Sequence, residues 1–136
     1  MNVTRVNHLG VIVEDLGEAI ASFQRRLGLQ LDRTETYGEV LEIAFLPCGD
    51  TQVELIQPLA ADDPAAAYLR ENGPGIQHVA FEVDDIEAAL AEVRDGGTRV
   101  LGEAPRPGAG GTTIAFLDPR DFGGILVELC EDPASG

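Results

Sequence analysis

Two histidines stand at equivalent positions of a sequence repeat, and they are the only histidines in the chain. The segment VNHLGVIVEDL, residues 6–16, resembles IQHVAFEVDDI, residues 76–86, and the third residue of each is His8 or His78. One strand histidine is more often a buried core residue than a ligand. Imidazole is nevertheless the commonest side-chain ligand of transition metals, so a repeated histidine indicates a candidate metal site.

Two glutamates repeat in the same register. The segment TQVELI, residues 51–56, resembles ILVELC, residues 125–130, which places Glu54 and Glu128 inside apolar, β-rich runs. A lone strand glutamate often faces solvent, but a buried one is costly unless it is paired or coordinated. Because both residue types recur together, we expect two imidazoles and two carboxylates to bind one divalent cation. A site with these four ligands, and with coordination positions left for water or substrate, suits manganese, cobalt, nickel, iron or zinc.

The elements that must position these ligands are also repeated. After each histidine-containing strand, apolar residues recur with helical spacing. Asp15, with Glu18 three residues later, predicts a helix N-cap with a capping box, and Asp84 or Asp85 predicts the N-cap of the second copy. Glycines predict the helix ends, Gly28 in the first copy and Gly96–Gly97 in the second.

Each half of the chain therefore predicts a strand, a helix and three further strands. The first module spans about residues 5–57 and the second about residues 76–131, joined by a linker at 58–75. The linker predicts a short helix from Pro64 to Asn72, followed by a Gly-Pro-Gly hinge. A chain of 136 residues fits a single domain, residues 1–136.

The charge of the chain disfavours several classes of partner. Nine arginines and no lysines stand against 24 acidic residues, for a net charge of −15. This field opposes nucleic acid and anionic membranes, and no apolar stretch reaches membrane-spanning length. We expect a cytoplasmic protein whose two cysteines, Cys48 and Cys130, are buried reduced thiols.

Four segments resemble the methylmalonyl-CoA epimerase family of the vicinal oxygen chelate superfamily. They are residues 8–20, 58–90, 103–111 and 116–129, and the resemblance extends from about residue 5 to 131. It implies an α+β fold in which two tandem βαβββ modules form a cupped sheet around a metal site. The metal ligands implied are His8, Glu54, His78 and Glu128, holding one divalent ion per chain, with Co²⁺ or Mn²⁺ expected before Ni²⁺, Zn²⁺ or Fe²⁺.

The resemblance also implies a chemistry. Enzymes of this family invert the carbon between a carboxylate and a thioester through an enolate, whose charge a Lewis acid stabilises. Inversion requires acid–base groups on both faces of that carbon. The resemblance assigns these roles to Glu42 and Glu128, and Glu39 is the alternative if the strand register differs by three residues.

Coenzyme A is polyanionic, so its binding to an acidic protein requires local positive charge. Arg106 in EAPRPGAGG and Arg120 in FLDPRDFGG are the predicted contacts, with the loop glycines Gly108 and Gly110 supplying backbone donors. Three histidines of the family pattern are replaced here, by Gln77, Gly110 and Asp118, and the family's lysine is replaced by Arg120.

Other members of the superfamily provide the alternatives. Glyoxalase I, a lactoylglutathione lyase, uses the same kind of ligand set and the same enolate chemistry on a smaller thiol adduct. A non-catalytic antibiotic-binding protein typically lacks the ligands, and an extradiol dioxygenase leaves Glu54 without a role. By resemblance we expect a homodimer that binds an acyl-CoA thioester.

Overall fold

The computed structural model describes residues 1–135, which contain eight strands, three α-helices and three short 3₁₀ turns. The elements are β1 (Val3–Ile12), α1 (Leu16–Leu27), β2 (Arg33–Tyr37), β3 (Leu41–Cys48), β4 (Thr51–Pro58), α2 (Pro64–Asn72), β5 (Gly75–Val83), α3 (Ile86–Asp95), β6 (Val100–Pro107), β7 (Thr113–Leu117) and β8 (Leu126–Glu131). This order is the predicted βαβββ pattern written twice, and the linker helix has its predicted bounds.

The chain forms two compact units. The first unit comprises residues 8–77, and the second comprises residues 1–7 together with the chain from residue 78 onwards. Strand β1 contributes to both, because its residues up to Asn7 belong to the second unit. The strand order is β2-β3-β4-β1 in the first unit and β1-β5-β8-β7-β6 in the second.

Helix α1 covers one face of the sheet in the first unit. Its apolar stripe packs on a buried cluster that includes Ala44, Leu46 and Leu55. The Asp15 carboxylate accepts the backbone N–H of Glu18, and Gly28 ends the helix with a φ of 73°. The left-handed backbone at this position favours glycine, which explains the predicted end of the helix.

Helix α3 covers the corresponding face in the second unit. Ile86, Ala89 and Leu90 pack there on a buried cluster that includes Leu117 and Leu129. The N-cap is Asp85 rather than Asp84, since the Asp85 side chain accepts the backbone N–H of Ala88.

Both helices are also tied to the last strand of their module. The side chain of Gln57, in β4, accepts the backbone N–H of Leu16 at 2.8 Å. The side chain of Glu131, in β8, accepts the backbone N–H of Ile86 at 3.0 Å. These contacts satisfy donors at the first turn, which have no partner within the helix. They extend the repeat beyond the residues that the sequence analysis identified.

The cysteines differ from the sequence-based expectation in one respect. Neither forms a disulfide, and Cys130 is buried, but Cys48 is exposed. The reason is position, because Cys48 is the last residue of β3 and the Gly49–Asp50 turn follows it. No helix within residues 1–135 is both long and apolar enough to cross a membrane.

Candidate functional site

The first unit holds one predicted ligand pair. Strands β1 and β4 are parallel, and Glu54 lies beside Gly10, two residues from His8. Side chains two residues apart share a face, so both point away from the face that α1 covers. His8 Nδ1 and Glu54 Oε2 lie 3.1 Å apart. The two residues are only 5 % and 6 % exposed.

The second unit holds the equivalent pair. Strands β5 and β8 are parallel, and Glu128 lies beside Ala80, two residues from His78. His78 Nε2 and Glu128 Oε1 are 3.7 Å apart, beyond hydrogen-bonding distance, and both residues are buried. The same strand geometry has therefore brought a histidine and a glutamate together twice.

The donor chemistry of these pairs fits a divalent metal ion. Each unit supplies one imidazole nitrogen and one carboxylate oxygen within 4 Å of each other, on buried side chains. Neutral imidazoles and ionised carboxylates are ligands for the first-row transition metals and zinc. A bound cation would also offset the cost of burying two carboxylates.

An aromatic residue that the sequence analysis did not single out contacts one of these histidines. Phe116 lies opposite Glu128 in the β7–β8 register. Its ring meets the His78 imidazole edge to face, with centroids 5.3 Å apart and an interplanar angle of 89°. The repeat gives a signal for this residue, because Phe45 lies opposite Glu54 in the first unit.

Arg106 lies over the same aromatic ring. Its guanidinium carbon is 5.4 Å from the Phe116 centroid. Arg106 pairs with Ile114 in the β6–β7 register, and therefore lies on the sheet face that carries Phe116. Within residues 1–135, no carboxylate forms an ion pair with Arg106. This arginine thus keeps its charge available on the face of His78 and Glu128.

The predicted loop glycines shape the turn after Arg106. The backbone N–H of Gly108 donates to the Thr112 carbonyl at 2.9 Å. A Cβ at Gly108 would lie 2.6 Å from both Ile114 Cγ2 and Thr112 Oγ1, so only glycine fits. Gly110 has a φ of 74°, which also favours glycine. Both glycines therefore have a structural role that does not depend on a ligand.

Arg120 is engaged within its own loop. Its guanidinium donates to the Asp118 carboxylate, with the shortest contact at 2.7 Å. This contact, with the backbone N–H of Arg120, lowers the pKa of Asp118 to about 2. Arg99 pairs with Asp121 in the same way. The pairing reduces the positive charge that Arg120 can offer, although its side chain is 69 % exposed.

The register separates Glu42 from the predicted ligands. Glu42 lies opposite Gln57, whereas Glu54 lies opposite Phe45, three residues further along β3. Because successive side chains alternate between faces, Glu42 lies on the α1 face, where Thr36 donates to it at 2.6 Å. The alternative, Glu39, lies in the turn before β3 with a φ of 60°. The strand geometry does not support placing either carboxylate beside Glu54.

The fold and the repeated histidine–glutamate pairs define a class of proteins. The sequence matches the Glyoxalase/Bleomycin resistance protein/Dioxygenase superfamily over residues 7–116, and the chain belongs to this superfamily. The α+β fold of tandem βαβββ modules predicted from the sequence is thereby confirmed.

Several relatives and solved structures that resemble this chain along nearly its whole length are methylmalonyl-CoA epimerases, which are isomerases. The ethylmalonyl-CoA/methylmalonyl-CoA epimerase of Cereibacter sphaeroides is 37 % identical over 93 % of this chain and 97 % of its own. The solved structure of a variant of Streptomyces coelicolor methylmalonyl-CoA epimerase, in complex with 2-nitronate-propionyl-CoA, matches with a TM-score of 0.92. It is 33 % identical and covers 98 % of this chain and 97 % of that one. The probable lactoylglutathione lyase of Vibrio cholerae is 33 % identical over 97 % of this chain and 94 % of its own.

Proposed function

We propose that this protein interconverts the epimers of methylmalonyl-CoA by metal-assisted proton transfer. The observation that carries the proposal is the buried histidine–glutamate pair found on the same sheet face of each unit. The epimerases of Cereibacter sphaeroides and Streptomyces coelicolor, similar along nearly the whole chain, supply the substrate class.

We assign His8, Glu54, His78 and Glu128 as the ligands of one divalent cation per chain. Cobalt and manganese are the first candidates, and nickel, zinc and iron(II) are the alternatives. When bound, the cation supplies Lewis-acid stabilisation for negative charge on the thioester oxygen. The assignment rests on the buried pairs and on their equivalence in the repeat.

The proton-transfer role falls first to Glu128. In the proposal its carboxylate accepts the α-proton from one epimer, and in the reverse reaction it gives a proton to that same face of the carbon. Inversion needs a second group on the other side of that carbon. Glu42 is the residue predicted for this role. Its position in β3 does not favour the assignment, which therefore stays a prediction.

We propose that Arg106 binds an anionic group of the acyl-CoA. Its guanidinium lies on the sheet face of Glu128 and has no carboxylate partner among the described residues. Arginine donates two parallel hydrogen bonds to phosphates and carboxylates. Gly108 and Gly110 fix the turn that follows, and Arg120 is the weaker contact because Asp118 holds it.

Deuterium exchange tests the function directly. Protein stripped of metal and reloaded with Co²⁺ is incubated in deuterated water with each epimer of methylmalonyl-CoA separately. We expect α-deuterium uptake and appearance of the opposite epimer, both dependent on metal and both lost in Glu128→Gln. Verified Co²⁺ binding without exchange would reject this substrate.

The same assay decides the role of Glu42. Loss of exchange from one epimer only, in Glu42→Gln, would establish this residue as the second acid–base group. Full exchange from both epimers would remove it from the mechanism, in agreement with its place on the α1 face.

Lactoylglutathione lyase activity is the second candidate. The specific observation is the carboxylate of Glu54, since glyoxalase I often has glutamate where the epimerases have glutamine, and the Vibrio cholerae relative is 33 % identical. The hemithioacetal of glutathione and methylglyoxal is the substrate that tests it. A homodimer and a cytoplasmic location remain predictions.

A further inference from the structure

We infer that Phe116 is a positioning residue that holds both the imidazole of His78 and the guanidinium of Arg106. The inference rests on the proposed function, in which His78 binds the metal and Arg106 binds an anionic group of the substrate. It adds a residue that carries neither role itself and determines the orientation of two that do.

The contacts of the Phe116 ring carry the inference. His78 meets the ring edge to face at 5.3 Å between centroids, an arrangement that the aromatic quadrupole favours. Arg106 lies over the ring at 5.4 Å from its centroid, within the range of a cation–π interaction. One side chain therefore contacts a proposed metal ligand and a proposed substrate contact.

The strand register places this ring where it can act. Phe116 is directly opposite Glu128, and His78 lies on the same face one strand further. The ring packs against a buried cluster of Ala80, Ile114 and Cys130. This support limits the movement of the ring, so its orientation is transmitted to the imidazole and the guanidinium that contact it.

Removal of the ring has two linked consequences. Leucine at position 116 keeps an apolar side chain on the buried cluster but loses the aromatic face and edge. His78 then gains rotational freedom before it binds metal, and Arg106 loses its attraction to the ring. Both metal affinity and substrate affinity are expected to weaken in this one variant. Neither phenylalanine nor leucine can bind a metal or carry charge, so the weakening would come from lost positioning.

The first test leaves Phe116 unchanged. The chain has two histidines, so His78→Ala assigns their imidazole proton signals in the NMR spectrum of metal-free protein. In the wild type we expect nuclear Overhauser contacts between the His78 imidazole and the Phe116 ring. Their absence in folded protein would overturn the inference.

The second test compares Phe116→Leu with two controls. Phe116→Tyr retains the ring, and Phe81→Leu removes a ring from β5 on the opposite face, where Phe81 packs against the α3 cluster. We measure the dissociation constant for Co²⁺ by its absorption bands, and KM and kcat for methylmalonyl-CoA. For Phe116→Leu we expect both the Co²⁺ constant and KM to rise roughly two- to tenfold.

The controls separate the outcomes. Recovery in Phe116→Tyr and near-normal constants in Phe81→Leu would support a positioning role. Wild-type constants in Phe116→Leu, or equal losses in Phe81→Leu, would overturn it. Loss of Co²⁺ binding in His78→Ala would support the metal site itself. The two contrary outcomes for Phe116→Leu and Phe81→Leu would then concern the role of Phe116 alone. Unchanged Co²⁺ binding in His78→Ala would overturn the metal site and the inference together.

Discussion

The histidines are functional candidates because of what surrounds them as well as their type. His8 and His78 are buried, and each lies within 4 Å of a buried glutamate on the neighbouring parallel strand. Gln77, adjacent to His78, belongs to the other sheet face because side chains alternate along a strand. Neighbouring residues in β5 are thus expected to differ in function.

Removal of either histidine should strongly weaken metal binding in solution. We expect His8→Ala and His78→Ala to weaken Co²⁺ binding by at least about 100-fold, because even outer-shell partners are worth 10- to 100-fold. Gln77→Ala is the matched control and should bind Co²⁺ normally. Titration followed by Co²⁺ absorption measures the constants. Equal weakening by Gln77→Ala would contradict the assignment.

The arginines should differ in their importance for substrate binding. Arg106→Ala is expected to raise KM for methylmalonyl-CoA by about 10-fold or more, the usual effect of losing a hydrogen bond to a charged group. Arg120→Ala should raise KM by less than about threefold, because Asp118 already pairs with that guanidinium. Steady-state kinetics on both variants checks the order. A larger effect at Arg120 would reassign the contact.

At the scale of elements, the strands position the residues of the site, and the turns hold the strands in place. The β6–β7 turn is closed by the Gly108–Thr112 hydrogen bond, and the loop after β7 is closed by the Asp118–Arg120 and Arg99–Asp121 pairs. These turns hold β6 and β7, which carry Arg106 and Phe116. Their stability is therefore expected to affect the substrate side of the site.

Glycine substitutions should have opposite effects in two elements. Gly108→Ala should lower the free energy of unfolding by about 1–3 kcal/mol, since a Cβ there overpacks the turn. Gly17→Ala should raise it by up to about 0.5–1 kcal/mol, because alanine favours the helix and its Cβ meets only Asp15 Oδ1 at 3.6 Å. Urea denaturation measures both. A stable Gly108→Ala would mean that the turn relaxes easily.

The Asp118–Arg120 pair should contribute to stability in a defined pH window. The hydrogen bond from Arg120 lowers the pKa of Asp118 to about 2, whereas an unfolded aspartate titrates near 3.9. The stabilisation is therefore complete above about pH 4 and is lost as the pH falls through about 2.

Asp118→Asn tests this pH dependence. Between pH 4 and pH 2, the free energy of unfolding should fall less steeply in the variant than in the wild type. Asp62→Asn, at an exposed position, controls for the loss of one negative charge. Parallel pH profiles for wild type and Asp118→Asn would show that the pair does not contribute.

At the scale of the whole molecule, a net charge of −15 favours cations over polyanionic substrates. An acidic protein that binds acyl-CoA needs a local exception to this field. In the proposed function Arg106, whose guanidinium has no carboxylate partner within residues 1–135, provides such an exception, and a bound cation would add further positive charge. Metal binding and substrate binding are thus expected to depend on each other.

A metal that binds only the folded chain should stabilise it. At a free Co²⁺ concentration about 100 times its dissociation constant, the free energy of unfolding should rise by about 2.7 kcal/mol. Chelation with EDTA should reverse the gain, and His78→Ala should show none. Thermal or urea unfolding with and without Co²⁺ measures the difference. A gain that persists in His78→Ala would indicate that the ion binds elsewhere.

The sequence alone determined the elements and the residue types proposed as ligands. Helical spacing and caps such as Asp15 and Gly28 act within a few residues, so they are visible in one dimension. The repeat identified His8 and His78 as equivalent residues, and Glu54 and Glu128 likewise. Equivalent strands need equivalent residues to build equivalent histidine–glutamate pairs. These predictions required no knowledge of which strands are neighbours.

The tertiary structure decided what depends on strand pairing. The β3–β4 register placed Glu42 on the α1 face, and the register of β6, β7 and β8 brought Arg106, Phe116 and Glu128 to one face. It also showed that Arg120 is held by Asp118, two residues away, while Arg106 has a ring as its neighbour. Register arises from hydrogen bonds between distant segments, and shifting it by one residue exchanges the two faces of a strand. For that reason the sequence identified the charged residues, and only the folded sheet showed which of them share a face.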